Sequence, residues 1–299
     1  MKEKIIRKMM LPSGWYPRNA AEIDGYLGDY LEENPDFCHT VISPHAGWFF
    51  SGRIAALALS VLRRDAGTVI VAGGHLPAEA PVLFAEEDAV CTPLGEMPVD
   101  CELRAIVKKD FSQAGIRCAP DNCADNLDNY ADNTVEVLLP AVRRFFPAAR
   151  LLWLRLGSGI KAAFAGRLLA RAAASLGRTV VLAGSTDLTH YGPAYNFCPK
   201  GLGKAALEWV KTVNDRRFIE AVISGAAADT SGAEETILER AIAEKSACSV
   251  GAVLCAVGFA SELRGAVCGD ARLLAYSTSV EASGEDAGSF VGYAAMAFS

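Results

Sequence analysis

The chain has 299 residues, of which 51% are hydrophobic and 21% charged, with a formal net charge of −6. This composition belongs to a globular protein with a large buried core and excludes disorder as a main theme. The acidic balance, together with the lack of any Lys/Arg block interleaved with aromatics, excludes a nucleic-acid partner.

The amino terminus starts with positive charge as a signal peptide does, but Arg7 and Lys8 interrupt the apolar run such a peptide needs. The longest nearly apolar stretch, Ala247 to Ala260, has 14 residues, short of the roughly 20 that span a bilayer. The expectation is a soluble, cytoplasmic protein with no membrane partner. No low-complexity linker divides the chain, so one domain over residues 1–299 is expected. Nine cysteines without a C-x-x-C pair read mostly as small buried hydrophobes, not a disulfide framework.

In chain order, the three- and four-residue spacing of Ile23, Tyr26, Leu27, Tyr30 and Leu31 predicts an amphipathic helix over Ala20 to Glu33. A strand at Thr40 to Ile42 follows, then a helix from Gly52 to Arg64 and a strand at Thr68 to Ala72. That order implies a right-handed crossover and a parallel pair. Between His75 and Asp100 lies an irregular excursion with one or two short edge strands, and Asp100 reads as the N-cap of the next helix. Asp132 opens a helix that carries Val142, Phe145 and Phe146, with a kink expected at Pro140. Arg150 to Leu156 is a strand, Ile160 to Leu176 an alanine-rich helix and Thr179 to Ala183 another strand. Helical patterns at 203–213, 215–223, 233–243 and 250–263 precede two final strand-like runs at 271–280 and 291–298.

Three of the four histidines follow a strand and a turn of small residues: His45 after Thr40-Val41-Ile42, His75 after Thr68 to Gly74, and His190 after Thr179 to Thr189. A single histidine on a loop most often hydrogen-bonds a neighbour and binds nothing. Three at equivalent positions point to one shared site, because ligands of open α/β sheets bind in the crevice outside the carboxyl ends of the strands. His39 lies inside a strand and is left as structural.

Cys248, just before the helix from Val250, is the cysteine placed to present a thiolate, since a helix amino terminus lowers a thiol pKa. Two histidines and a thiolate make a three-ligand site with open positions, the form of a metal centre that binds substrate or dioxygen. Asp187 and His190, three apart in one turn, either complete that site or act as acid and base beside it. Trp15, Trp48 and Phe50 are expected to form an apolar wall for a flat substrate.

Six segments, in this order, resemble the Memo family, in bacteria also called AmmeMemoRadiSam system protein B: Pro44 to Gly52, Gly73-Gly74-His75, Thr92 to Gly95, Val135 to Pro140, Ser185 to Tyr191, and Cys248. Gly14 to Pro17 is similar to the family's opening segment, so the match covers nearly the whole chain. The resemblance implies a three-layer α/β/α sandwich with a mostly parallel central sheet, similar to class III extradiol ring-cleavage dioxygenases. It implies metal ligands at His45, His75 and Cys248, with His190 and Asp187 beside them in catalytic roles. It also implies a functional link to a radical SAM protein. Three departures alter the pocket wall: Gly73-Gly74 where the family has Pro-Asn or Pro-Ser, Ser249 where it has glycine, and Asn133 where it tends to have histidine.

The resulting expectation is a metal-dependent oxidoreductase of dioxygenase type, taking a small, flat substrate. The cofactor is a divalent transition metal, Fe(II) first and copper or zinc as alternatives. Two further readings stand beside it. One is a non-catalytic copper-, zinc- or peptide-binding protein on the same fold, because a thiolate is a soft ligand. The other is zinc hydrolysis with Asp187 or Glu136 as base. Self-association into a homo-oligomer is left open.

Overall fold

Successive residues of the central strands point alternately into two separate cores, and this alternation builds the layers. Val69, Val71, Leu151, Trp153, Val181 and Ala183 pack on one face of the sheet. Their neighbours Ile70, Ala72, Leu152, Leu154 and Leu182 pack on the other. Strands apolar on both faces must be covered by helices on both sides. This is a computed structural model that describes residues 3–30, 37–121, 132–227, 232–263, 270–284 and 288–299. The last residues of the helix expected over Ala20 to Glu33, from 31 onwards, lie outside the described residues.

In chain order the strands are β1 (Ile6–Arg7), β2 (Thr40–Ser43), β3 (Thr68–Leu76), β4 (Val82–Phe84), β5 (Ala89–Thr92), β6 (Gly95–Pro98), β7 (Cys118–Pro120), β8 (Arg150–Gly157), β9 (Val180–Ser185), β10 (His190–Tyr191), β11 (Ala271–Thr278) and β12 (Phe290–Phe298). The helices are α1 (Ala20–Leu27), α2 (Trp48–Ser60), α3 (Cys101–Gln113), α4 (Asn133–Glu136), α5 (Leu139–Phe145), α6 (Lys161–Ser175), α7 (Lys204–Trp209), α8 (Asp215–Ala227), α9 (Ala233–Ala243), α10 (Val250–Leu263) and α11 (Ser279–Ser283).

The main sheet runs β10-β12-β2-β9-β3-β8-β4-β7, with β11 paired to β12. Its centre, β2-β9-β3-β8, is parallel, and antiparallel strands join on either side, β12 on β2 and β4 on β8. The fold is therefore the expected α/β sandwich. A small second sheet joins β1, β5 and β6. The excursion after His75 thus contributes three short strands, not one or two, and only β4 belongs to the main sheet.

Four local expectations change. β2 and β3 are not direct partners, since β9 lies between them and pairs with both. Helix α2 starts at Trp48, four residues early, because Gly47 is its N-cap and the Trp48 N–H donates to the distant Trp15 carbonyl at 2.8 Å. Pro140 does not kink a helix interior. It sits in the first turn of α5, where a missing N–H breaks no bond, and a separate α4 precedes it. Of the seven described cysteines only Cys38 and Cys255 are buried, so the reading of most cysteines as core residues does not hold among them.

Candidate metal centre

The parallel centre of the sheet places the ends of β2, β9 and β3 side by side, and each delivers a residue to one point. His45 follows β2 and is completely buried. Its Nδ1 lies 2.9 Å from the Ser185 hydroxyl at the end of β9, and its backbone N–H donates to Asp187 Oδ1 at 2.7 Å. With Nδ1 engaged, Nε2 is the atom turned towards the site.

His75 arrives by a distortion of β3. Gly74 has φ +123°, a conformation open to glycine, and the pairing with β8 shifts between Gly73 and Leu76. The Gly74 N–H donates to the Thr134 hydroxyl at 2.8 Å, and a Cβ on Gly73 would lie 2.2 Å from that same oxygen. The departure to Gly73-Gly74 thus makes room for Thr134. The one extra residue on β3 at this shift goes with a His75 that is solvent-exposed.

Cys248 closes the third side. Its Sγ lies 3.2 Å from His45 Nε2 and accepts the Asp187 N–H at 3.3 Å. The two histidine Nε2 atoms are 3.1 Å apart, and all three donor atoms lie within 4.8 Å of one another. Ligand bonds of about 2.0–2.3 Å around a tetrahedral ion put donors roughly 3.3–3.6 Å apart, so this set fits a transition metal. Cys255 stays in the core, where burial pushes its thiol far up.

The electrostatics agree. Burial opposes ionisation of Cys248, but the His45 and His75 imidazoles hold its thiol well below the usual range. For His45 burial likewise opposes charging, and the Cys248 and Asp187 charges outweigh it, giving a pKa of about 9. His190 behaves in the same way, with burial overcome by Asp187 and Cys248, and reaches about 10. The site is thus built to stabilise positive charge beside a thiolate, which is what a bound dication supplies.

His190 stands beside this triad. Its Nε2 is 3.9 Å from Asp187 Oδ2, beyond hydrogen-bonding distance, as is His45 Nε2 at 3.9 Å. A cleft of about 440 Å³ opens here, lined by Trp15, Phe50, Asp187, His190, Tyr195 and Tyr293 among others. Trp48 is not part of that wall. Residues two apart on a helix face opposite ways, so with α2 starting at Trp48 the Trp48 ring turns inward while Phe50 faces the cleft. Trp48 packs edge-on to Tyr26 and donates to the Val137 carbonyl at 2.9 Å. Glu136, considered as a hydrolytic base, instead accepts from the Tyr16 hydroxyl and the Met10 and Leu11 N–H groups.

Several positioning residues carried no sequence signal. Thr189, next to His190, is gripped by Asp215, whose Oδ1 accepts the Thr189 N–H at 3.1 Å and hydroxyl at 2.5 Å. Asp215 Oδ2 accepts the Tyr276 hydroxyl at 2.7 Å. The wide π turn at Val210–Asn214 delivers both Asp215 and Asn214, and the Asn214 amide donates to the Thr189 hydroxyl at 2.8 Å. Burial raises the Asp215 carboxyl from 3.8 to about 6 against the opposing Thr189 and Tyr276 hydrogen bonds. A carboxyl whose folded pKa lies above its unfolded value contributes stability at low pH that is lost as pH rises through the folded pKa. Asp215→Asn is therefore expected to cost more stability at pH 4 than at pH 7, read from urea midpoints. Equal costs at the two pH values would mean that Asp215 is ionised throughout.

An α/β sandwich whose strand ends bring two imidazoles and a thiolate together offers a donor set that could hold a metal ion. The Memo-like protein family profile matches residues 7–297. The chain belongs to the Memo family. A MEMO1 family protein of Thermococcus kodakarensis is 28% identical over 98% of this chain and 99% of its own length. Another from Methanopyrus kandleri is 32% identical over 91% of this chain and 87% of its own length. Among solved structures, an uncharacterized Escherichia coli K12 protein superposes with a TM-score of 0.50 at 11% identity, covering 86% of this chain and 98% of that one. This last likeness shows a shared fold alone.

Proposed function

We propose that the protein is a metal-dependent oxidoreductase of extradiol dioxygenase type, holding Fe(II) on His45, His75 and Cys248 and acting on a small, flat substrate. The observation that carries this reading is the convergence of those three donors beside a cleft that also presents His190 and Asp187. Ferrous iron, when bound, supplies neighbouring positions for a substrate and dioxygen. The chain's own residues do the rest. Trp15 and Phe50 orient a planar ring, His190 exchanges a proton at Nε2 with the substrate, and the Asp187 carboxylate holds the charged imidazole in place.

The thiolate favours a second reading, a copper or zinc protein without turnover, because soft ligands prefer Cu(I) or Zn(II). Metal analysis of protein purified without oxygen, followed by oxygen-uptake assays on a catechol panel, separates the two. Near-stoichiometric iron with uptake above the metal-stripped control is the expected result. Stoichiometric copper or zinc with no uptake selects the second reading. A cytoplasmic location belongs to the same proposal and is supported by the seven described cysteines, all of them free. Among the described residues no helix is long and apolar enough to cross a membrane. A functional link to a radical SAM protein rests on family membership.

A further inference from the structure

His75 needs a different anchor from His45. The buried His45 is held by its Nδ1 contact to Ser185 and by its backbone N–H, which donates to Asp187. His75 is exposed, so packing cannot fix its ring, and the backbone that carries it must do so. That backbone is a bulge. Gly73 pairs with Arg155 and Leu76 with Gly157, so two residues of β3 face the single Leu156 of β8. A bulge interrupts the ladder, and the Gly74 N–H finds its acceptor on another element, the Thr134 hydroxyl of α4 at 2.8 Å.

A hydroxyl has one proton to give, and Thr134 gives it to Asp132 Oδ1 at 2.7 Å, so towards Gly74 it can only accept. As the N-cap of α4, Asp132 also accepts the Thr134 and Val135 N–H groups, at 3.2 and 3.3 Å. Arg155 Nε lies 3.2 Å from the same carboxylate, and the two side chains are only 1% and 7% exposed. Arg155 in turn faces Asp121 at 3.4 Å, and Asp121 accepts the Trp153 indole N–H at 2.8 Å. Because Arg155 stands opposite Gly73 in the pairing of β3 with β8, the contacts close on themselves. They run from Gly74 through Thr134, Asp132 and Arg155 back to the start of the bulge. Removing one partner of a buried ion pair leaves a charge uncompensated, so each member fixes its neighbours. Space is tight as well, since a Cβ on Gly73 would lie 2.2 Å from the Thr134 hydroxyl oxygen and 2.8 Å from the Thr134 Cβ.

We propose that Thr134, braced by Asp132 and Arg155, is the positioning residue that holds His75 at the metal. The inference rests on His75 being a ligand, as proposed above, and its test separates the two. Cobalt(II) is titrated into the metal-stripped protein against a competing chelator, and the thiolate-to-cobalt charge-transfer band is recorded together with the ligand-field bands. Thr134→Val keeps the shape of the side chain and removes the acceptor. It is expected to lower cobalt affinity at least about tenfold, the scale of contacts that orient a ligand. At saturating cobalt its charge-transfer band should keep its intensity, because Cys248 is untouched, while the ligand-field bands change with the loss of an imidazole. Thr134→Ser restores the acceptor and should bind cobalt within about threefold of the unaltered protein. Gly73→Ala, which drives a methyl group into the same hydroxyl, should weaken cobalt as Thr134→Val does, and it carries the test if Thr134→Val fails to fold. Weakened binding in His75→Ala with unchanged affinity in Thr134→Val or Gly73→Ala overturns the positioning role and leaves the ligand reading standing. Unchanged affinity in His75→Ala overturns both. A Thr134→Ser variant as weak as Thr134→Val, or a charge-transfer band that fades along with the affinity, means a general loosening of the site and overturns the proposal too.

Discussion

His75→Ala is expected to lose its metal while keeping its fold, and His190→Ala to keep both its fold and its metal. His75 is the exposed member of the triad, so removing its ring leaves no cavity. His45 would be a poorer choice, because it is completely buried and engages Ser185 and Asp187. Partners that only orient a ligand are worth roughly 10–100-fold in metal affinity, so loss of a donor atom should reach at least the upper end of that range. His190 Nε2 lies to the side, facing Asp187. Three donors already satisfy an open site, and a fourth would fill the position that substrate needs. Metal content measured on the two purified variants decides the roles, with any turnover lost in both. If His190→Ala comes out as empty as His75→Ala, then His190 is a ligand and its role as proton carrier falls.

The parts of this structure that could be read in the sequence are those governed by short-range pattern. Thr68 to Val71 is β-branched and closely apolar, so a strand buried on both faces follows from four residues. The strand-end position of His45, His75 and His190 follows from the small-residue turns that precede them. What could not be read depends on distant partners. The start of α2 is set by the Trp15 carbonyl, 33 residues away in sequence, and that start decides which of Trp48 and Phe50 faces the cleft. The insertion of β9 between β2 and β3 is what brings Ser185 and Asp187 under His45, and no local signal announces it. Asp215 looked like any helical acid in sequence. Its burial, and its grip on the residue before His190, come from the π turn and from Tyr276 on β11. Asn133, where the resemblance leads one to expect a histidine, lines the cleft and donates its amide to the His45 carbonyl at 3.1 Å, a contact made by a residue that does not titrate.

Gly258→Ala and Gly251→Ala are both expected to destabilise the protein, but only the second should loosen metal. Helix α10 crosses α6 at backbone distance because glycines line the crossing. A Cβ on Gly258 would sit 2.0 Å from the Ala163 carbonyl oxygen, and one on Gly166 2.0 Å from that of Cys255. Neither neighbour is a flexible side chain, so the helices must separate. Overpacking of this kind costs about 3 kcal/mol, at the upper end of the usual range. Gly251, two turns earlier on the same face of α10, meets the Gly157 carbonyl oxygen at 2.3 Å. It lies within one helical turn of Cys248, so the movement that relieves this clash is carried into the Sγ position, where a displacement of about 1 Å is large against ligand bonds of roughly 2.3 Å. Urea midpoints should fall for both variants. Metal affinity of the folded protein should drop about tenfold for Gly251→Ala and stay within about twofold for Gly258→Ala, in line with the sensitivity of metal sites to their supporting contacts. Unchanged affinity in both variants would mean that the seating of α10 does not set the thiolate, and that the hydrogen bond from the Asp187 N–H holds Cys248 in place by itself.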